Sequence, residues 1–260
     1  MNVLAVETAT DLVGAAVARH GSVAERSHLG GRAHAELLAP AIEEVCALSG
    51  CALGDLDALA VDVGPGLFTG LRVGVATAKA LGQALGLGVL AVSSLDVLAA
   101  GAYEVAPGAR SARMVTVVDA RRGEVFAAAY AAGPDGGGPD GPDPAAVRTD
   151  REGALSPEDL VDWCDELAGA GPLLVVGDGA VRYLDRLAPR PGLDVGLVGT
   201  VTAPSPAALV RLAVRRLAAG AVPAAPGDVV PDYRRAADAR INWEERAPQR
   251  TAPAPPEGRR

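Results

Sequence analysis

The chain has 260 residues, 49% of them apolar and only 3% aromatic, with 32 acidic side chains against 24 basic ones and a formal net charge of -8. That length supports one large or two small domains around an aliphatic, alanine-rich core. With a pI near 5.0 and no long basic run, the sequence argues against direct binding of nucleic acid, which needs clustered cations to neutralise phosphates.

The basic residues are 23 arginines and one lysine, Lys79, a bias read as genomic composition and not as chemistry. Cys46, Cys51 and Cys164 form neither an even disulfide framework nor a C-x-x-C pair, which suits a reducing compartment. There is no basic leader and no apolar run of membrane-spanning length, so a soluble, cytoplasmic protein without membrane contact is expected.

Residues 2–18 (NVLAVETATDLVGAAVA) read as two strands around a tight turn, with Glu7 closing the first and Thr8 and Thr10 in the turn. A carboxylate there can face a cleft, or cap the turn through local hydrogen bonds. A third short strand is expected at Val23–Ser27. From Ala33 to Ser49 the spacing of Leu37, Leu38, Ala41, Ile42, Val45 and Leu48 is helical, and Gly50 supplies the stop. His34 starts this helix, but His20 and His28 stand at no ligand-like spacing from it. Asp55–Val63 gives a helical turn and a buried strand.

The run GPGLFTGLRVGVATAKALGQALG, residues 64–86, is a glycine turn that becomes a helix. It lacks the Gly-Lys-Ser/Thr ending of a phosphate loop, and its glycine spacing misses the dinucleotide fingerprint by one residue. Gly74, Ala78 and Gly82 recur every fourth residue, so one helix stripe is nearly bare and suits close approach of another backbone. Leu71, Val75, Leu81 and Leu85 flank it. A strand at 88–92 and a helix at about 94–102 complete a β-β-β-α-β-α-β-α order.

The pattern restarts at residues 114–130 (MVTVVDARRGEVFAAAY), where Asp119 follows TVV as Glu7 follows LAV. Two lobes of one plan are inferred. Residues 133–147 read as a flexible hairpin tip. Ser156-Pro157-Glu158-Asp159 is a helix start, and LLVVGDG (173–179) is a strand entering a glycine turn at Gly177 and Gly179. Ser205-Pro206 opens another helix ending at Gly220. Residues 221–260 are expected to be mostly irregular or disordered.

GPGLFTGLRVGVATAKALG, with LAVETAT, HAELLAPAIEEV, LAVSSLDVLA and DARRGEVFAAAY, resembles the TsaB (YeaZ) family; VVGDG and PDYRR are later echoes. The resemblance implies an α/β, two-lobed actin/sugar-kinase/Hsp70-like fold with duplicated ribonuclease-H-like lobes. The N-terminal lobe would be residues 1–103, with helix 205–220 packed back on it, and the C-terminal lobe 104–204. It also implies a non-catalytic partner of the TsaD-type threonylcarbamoyltransferase in making N6-threonylcarbamoyladenosine on tRNA. The chain would need no cofactor of its own, ATP and a metal ion being held by the TsaD-type subunit. A TsaE-type ATPase would join the larger complex, and tRNA would be met only indirectly.

TsaD-like chains carry a His-x-x-x-His metal motif where this chain has Ser94 and Leu98; serine is a poor ligand and leucine is none. In the family, the helix after the glycine turn and the one before it dock the partner. The expected interface is therefore Leu71, Gly74, Val75, Ala78, Gly82, Leu85, Leu38 and Ile42, available also for a homodimer. Glu7, Thr8, Gly64, Gly66, Asp119, Gly177 and Gly179 are the candidates for a nucleotide cleft. Glu7 stands where many members have Asp and Leu67 where many have Ser, which weakens that cleft; Arg234 stands where the tail usually has Leu. The alternative is an ATP-dependent phospho- or carbamoyltransferase holding magnesium through Glu7 or Asp119. A metallopeptidase lacks its histidine pair.

Overall fold

The computed structural model describes residues 1–31, 33–105, 112–131, 148–151, 153–169, 171–187, 193–194 and 201–234, the side chains of 193–194 excepted. The hairpin tip at 133–147 and residues 235–260 lie outside the described residues. Three antiparallel strands come first: β1 (Val3–Glu7), β2 (Leu12–Arg19) and β3 (Ser22–Leu29). After α1 (His34–Ser49), β4 (Ala58–Gly64) joins β1 in parallel, and after α2 (Phe68–Leu85), β5 (Val89–Ser93) joins β4 in parallel. The sheet order is β3-β2-β1-β4-β5.

The second half repeats this. The hairpin β6 (Arg113–Arg121) and β7 (Glu124–Tyr130) is extended by β8 (Arg148–Asp150). Then α4 (Pro157–Ala168) precedes β9 (Leu173–Val176), which pairs parallel to β6. Two short helices, α5 (Asp178–Arg182) and α6 (Leu184–Leu187), lead to β10 (Leu193–Asp194), parallel to β9. Counted from its own first strand, this sheet has the same third-second-first-fourth-fifth order. The duplicated strand pattern is thus a duplicated topology, and the two lobes have the actin/sugar-kinase/Hsp70 architecture.

Burial explains the strand sequences. Strand β1 is buried at all five positions because both faces of its sheet are covered, which requires a continuous apolar run in place of alternation. Leu4 and Val6 meet α1 and α2 through Leu38, Ile42, Val45, Val75 and Ala78. On the other face Val3 and Ala5 meet α7 (Pro206–Ala218) through Leu209, Val210, Leu212 and Ala213. Helix α3 (Ser94–Val105) serves both lobes: Val97 and Ala100 belong to the first core, Leu95, Leu98 and Ala99 to the second.

The helix starts at Ser156 and Ser205 are local chemistry. Each hydroxyl accepts a backbone N–H, Asp159 at 3.0 Å and Ala208 at 3.1 Å, ahead of a proline in the first turn; such caps contribute about 1 kcal/mol each. Among the described residues no helix is long and apolar enough to cross a membrane.

Residues 221–234, from the tail expected to be mostly irregular, carry little regular structure but are packed in place. They lie across α2 as a strap: Ala224 bridges Val89, and the sole lysine, Lys79, donates to the carbonyls of Gly227 at 2.9 Å and Val229 at 3.0 Å. Val229 is buried, the Asp232 N–H donates to the Val63 carbonyl, and the Tyr233 ring lies 5.0 Å from Phe68.

Candidate functional site

The glycine turn and α2 are stitched to the β1–β2 turn. The Leu67 N–H donates to the Ala9 carbonyl at 2.7 Å, and the Thr8 hydroxyl donates to the Gly70 carbonyl at 2.9 Å. A Cβ at Gly66 would lie 2.2 Å from the Ala9 carbonyl oxygen, and one at Gly70 would lie 2.1 Å from that of Thr8. Gly64 takes φ +107° against Leu71, a conformation that glycine adopts without strain. These glycines admit this chain's own backbone where a phosphate cradle would hold an anion. His34 is also absorbed here, its Nε2 lying 2.8 Å from the Thr10 carbonyl oxygen.

The bare stripe of α2 faces inward, which corrects the expected docking surface. A Cβ on Gly74 would sit 2.2 Å from Thr8 Oγ1, Ala78 is 1% exposed, and Gly82 lies beneath Pro226 of the strap. Leu71, Val75, Leu38 and Ile42 are likewise buried, and Leu85 is partly buried against the same core. Sequence spacing brought these residues together correctly but could not say which side of the helix the chain itself would cover. The outward side carries Thr69, Ala76, Ala80, Gln83 and Ala84, all exposed, with Val73 and Thr77 half-buried beside them. It is nearly free of charge and equally short of bulk, and Arg72 and Phe68 close its N-terminal end.

Glu7 is wholly buried, and its Oε1 accepts the Ala9 N–H at 2.8 Å, the turn-capping role. Its carboxyl is close enough to that of Asp62, on the neighbouring β4, for the two to disfavour each other's charge. Asp62 Oδ1 accepts from the Gly64 N–H at 2.7 Å and the Ser94 hydroxyl at 2.6 Å. Burial raises Glu7 well above the usual carboxylate range, with Asp62 adding to it; burial raises Asp62 to about 6. Glu7 is thus a buried turn cap whose ionisation is disfavoured.

In the second lobe Asp119 is committed too. Its Oδ2 accepts from Arg182 at 2.9 Å and Arg121 at 3.3 Å, and its backbone N–H donates to Asp178. Burial raises Asp178 to about 6. Arg121 also reaches Asp11 in the β1–β2 turn at 2.7 Å, an exposed ion pair between the two halves of the chain. Gly177 and Gly179 pack on Val117, with a Cβ at Gly177 falling 2.1 Å from its carbonyl oxygen. The candidate cleft residues Glu7, Thr8, Gly64, Gly66, Asp119, Gly177 and Gly179 are therefore each engaged within the chain. Among the described residues no group of three or more His, Cys, Asp or Glu side chains could hold a metal ion.

The two positions aligned with a histidine pair are equally occupied. Ser94 is tied to Asp62, and Leu98 is fully buried in the second lobe's core. Sequence reasoning missed Asp62, read only as part of a buried strand. It also missed Asp96, which is 3% exposed and accepts from Tyr130 at 3.0 Å, Arg148 at 2.8 Å and Arg216 at 2.8 Å. An aspartate inside the otherwise apolar run LDVLAA was its only signal.

Residues 23–135 match the family model described as TsaD: tRNA N6-adenosine threonylcarbamoyltransferase. An uncharacterized protein of Mycobacterium tuberculosis is 37% identical over 218 residues, covering 82% of this chain and 92% of that protein. The tRNA threonylcarbamoyladenosine biosynthesis protein TsaB of Escherichia coli is 31% identical over 223 residues, covering 85% of this chain and 89% of that one. The chain belongs to the TsaB family. YeaZ from Pseudomonas aeruginosa, a solved structure, superposes with a TM-score of 0.69 at 30% identity, covering 89% of this chain and 99% of that one. This TsaB-family chain therefore shares the paired-lobe fold of YeaZ over nearly the whole of that structure. Within that fold its glycine-turn helix is turned with the bare stripe inward and a second, uncharged small-residue face outward.

Proposed function

We propose that this chain is a non-catalytic subunit that binds and activates a TsaD-type threonylcarbamoyltransferase for N6-threonylcarbamoyladenosine synthesis on the tRNA adenosine 3' of the anticodon. The observation that carries this reading is the fate of Ser94 and Leu98: one is a buried hydroxyl bonded to Asp62, the other a core side chain. Neither offers the imidazole that the partner's motif supplies. Glu7 and Asp119, on which an ATP-dependent transferase would depend, are a buried turn cap and a carboxyl held by two arginines.

The docking face is the outward side of α2, at Thr69, Val73, Ala76, Ala80 and Ala84, together with the adjoining α1, which carries exposed Ala35, Ala39 and Glu43. Small side chains there let a partner helix approach closely, and the near absence of charge on the α2 part lowers the cost of desolvation. The acidic chain leaves tRNA contact to other subunits, and ATP and the metal ion belong to the TsaD-type partner, with a TsaE-type ATPase joining the assembly in the cytoplasm. The same face serves a homodimer when the partner is absent.

The test is reconstitution. With tRNA and a threonylcarbamoyl donor, the TsaD-type subunit is expected to modify tRNA only when this chain is added, and this chain alone is expected to be inert. Modification by this chain alone would overturn the proposal.

A further inference from the structure

Helix α1 ends on Gly50 in the left-handed conformation, φ 59°. The Gly50 N–H donates to the Ala47 carbonyl at 3.2 Å, and the Cys51 N–H reaches back to the Cys46 carbonyl at 3.0 Å. This pair of bonds is the Schellman ending, in which the side chains three positions before and two positions after the helix end are brought into contact. Here those two positions are both cysteine. Their side chains join one hydrophobic cluster, Cys51 being 1% exposed and Cys46 half-buried at its edge. Arg19 donates to the Gly50 carbonyl at the same corner, placing a guanidinium beside Cys51. Cys164 is buried in the core of the other lobe.

The geometry points to Cys46 and Cys51 as a redox modification site, which a small disulfide oxidant converts to an intramolecular bridge across the end of α1. The half-buried Cys46 thiolate attacks one sulfur of the oxidant RS–SR, releasing RS⁻ and leaving a mixed disulfide. The Cys51 thiolate then attacks the Cys46 sulfur and expels the second RS⁻. The protein loses two electrons and two protons, and the oxidant becomes two RSH. Burial raises both thiols, Cys51 adding to the effect on Cys46, while Arg19 opposes it at Cys51. Bridging therefore accelerates as the pH rises toward the thiol range. The bridge closes a short loop, so the oxidised chain unfolds at higher temperature.

The experiment treats the full chain with oxidised glutathione at mildly alkaline pH, followed by alkylation and peptide mass analysis. The expected product has lost two hydrogens from the single tryptic peptide holding both residues, with neither alkylated, and shows a Tm raised on the order of 5 °C. Dithiothreitol reverses both changes. Cys51→Ala is expected to stop at a glutathione adduct on Cys46. A persistent glutathione adduct on Cys46 in the unsubstituted chain, alkylation of both thiols after treatment, or a bridge to Cys164 would each overturn the assignment.

Discussion

Glu7 and Asp62, on neighbouring parallel strands, are two fully buried carboxyls that raise each other's cost of ionisation. Burial and mutual repulsion disfavour two negative charges there, so a proton is held above the ordinary carboxylate range. Glu7 Oε2 and Asp62 Oδ2 receive no donor among the described residues.

The pH dependence follows from that proton. In the unfolded chain both groups ionise near pH 4, whereas in the folded chain burial raises Asp62 to about 6 and raises Glu7 well above the usual carboxylate range. Above about pH 4 the folded state binds more protons than the unfolded one, so this pair's contribution falls as pH rises. Glu7→Gln removes one of the two titrations. Its stability relative to the parent is expected to improve by on the order of 1 kcal/mol per pH unit between about pH 5 and 7, read from urea unfolding of both proteins. A difference that stays flat or declines over that range would contradict the retained proton.

Gly74 tests the inward packing of α2. A methyl there would meet Thr8 Oγ1 at 2.2 Å, so Gly74→Ala is expected to cost about 1–3 kcal/mol despite the better helix propensity of alanine. With Thr8→Ala in the same chain the nearest Thr8 atom becomes Cβ at 3.4 Å, and the double variant should lose less than the sum of the two single ones. Strict additivity in chemical denaturation would mean that the two residues do not touch.

Much of the architecture was legible because it is written in local patterns. The apolar run of β1 ahead of Glu7, the glycine stop after α1, the Ser-Pro starts of α4 and α7, and the matching LAVE and TVVD runs each depend on a few consecutive residues. What the sequence could not reveal depends on which surfaces the chain covers for itself. Gly74, Ala78 and Gly82 make a stripe in any helix, but only the positions of Thr8 and Pro226 decide that it is internal. The strap was hidden for a similar reason: Lys79 and Val229 are 150 residues apart, and nothing near either announces the contact.

Asp96 gathers one tyrosine and two arginines from β7, β8 and α7 onto α3, with its side chain 5% exposed and the arginines at 12% and 14%. Asp96→Asn keeps the shape but leaves two guanidiniums without their shared anion. The expected loss is about 3 kcal/mol, the low end for breaking a buried ion pair, because Arg148 keeps its pairing with Asp150 at 2.8 Å. Thermal unfolding measures it, and a Tm within a degree of the parent would show the cluster to be passive.

Lys79→Met should release the strap without unfolding the lobes. Hydrogen exchange at Val229 and Asp232 is expected to quicken several-fold while β1 and β4 keep their protection. Equal acceleration in the strap and in both strands would mean that the strap belongs to the global core.

Whether the outward face of α2 receives the TsaD-type subunit is measured most directly by size-exclusion chromatography of the two purified chains, with Ala76→Arg and Ala80→Arg compared with the parent. The parent is expected to co-elute with that subunit, and each arginine variant, folded by circular dichroism, to elute apart from it. Undiminished co-elution of both variants, or no complex with the parent, would contradict the account.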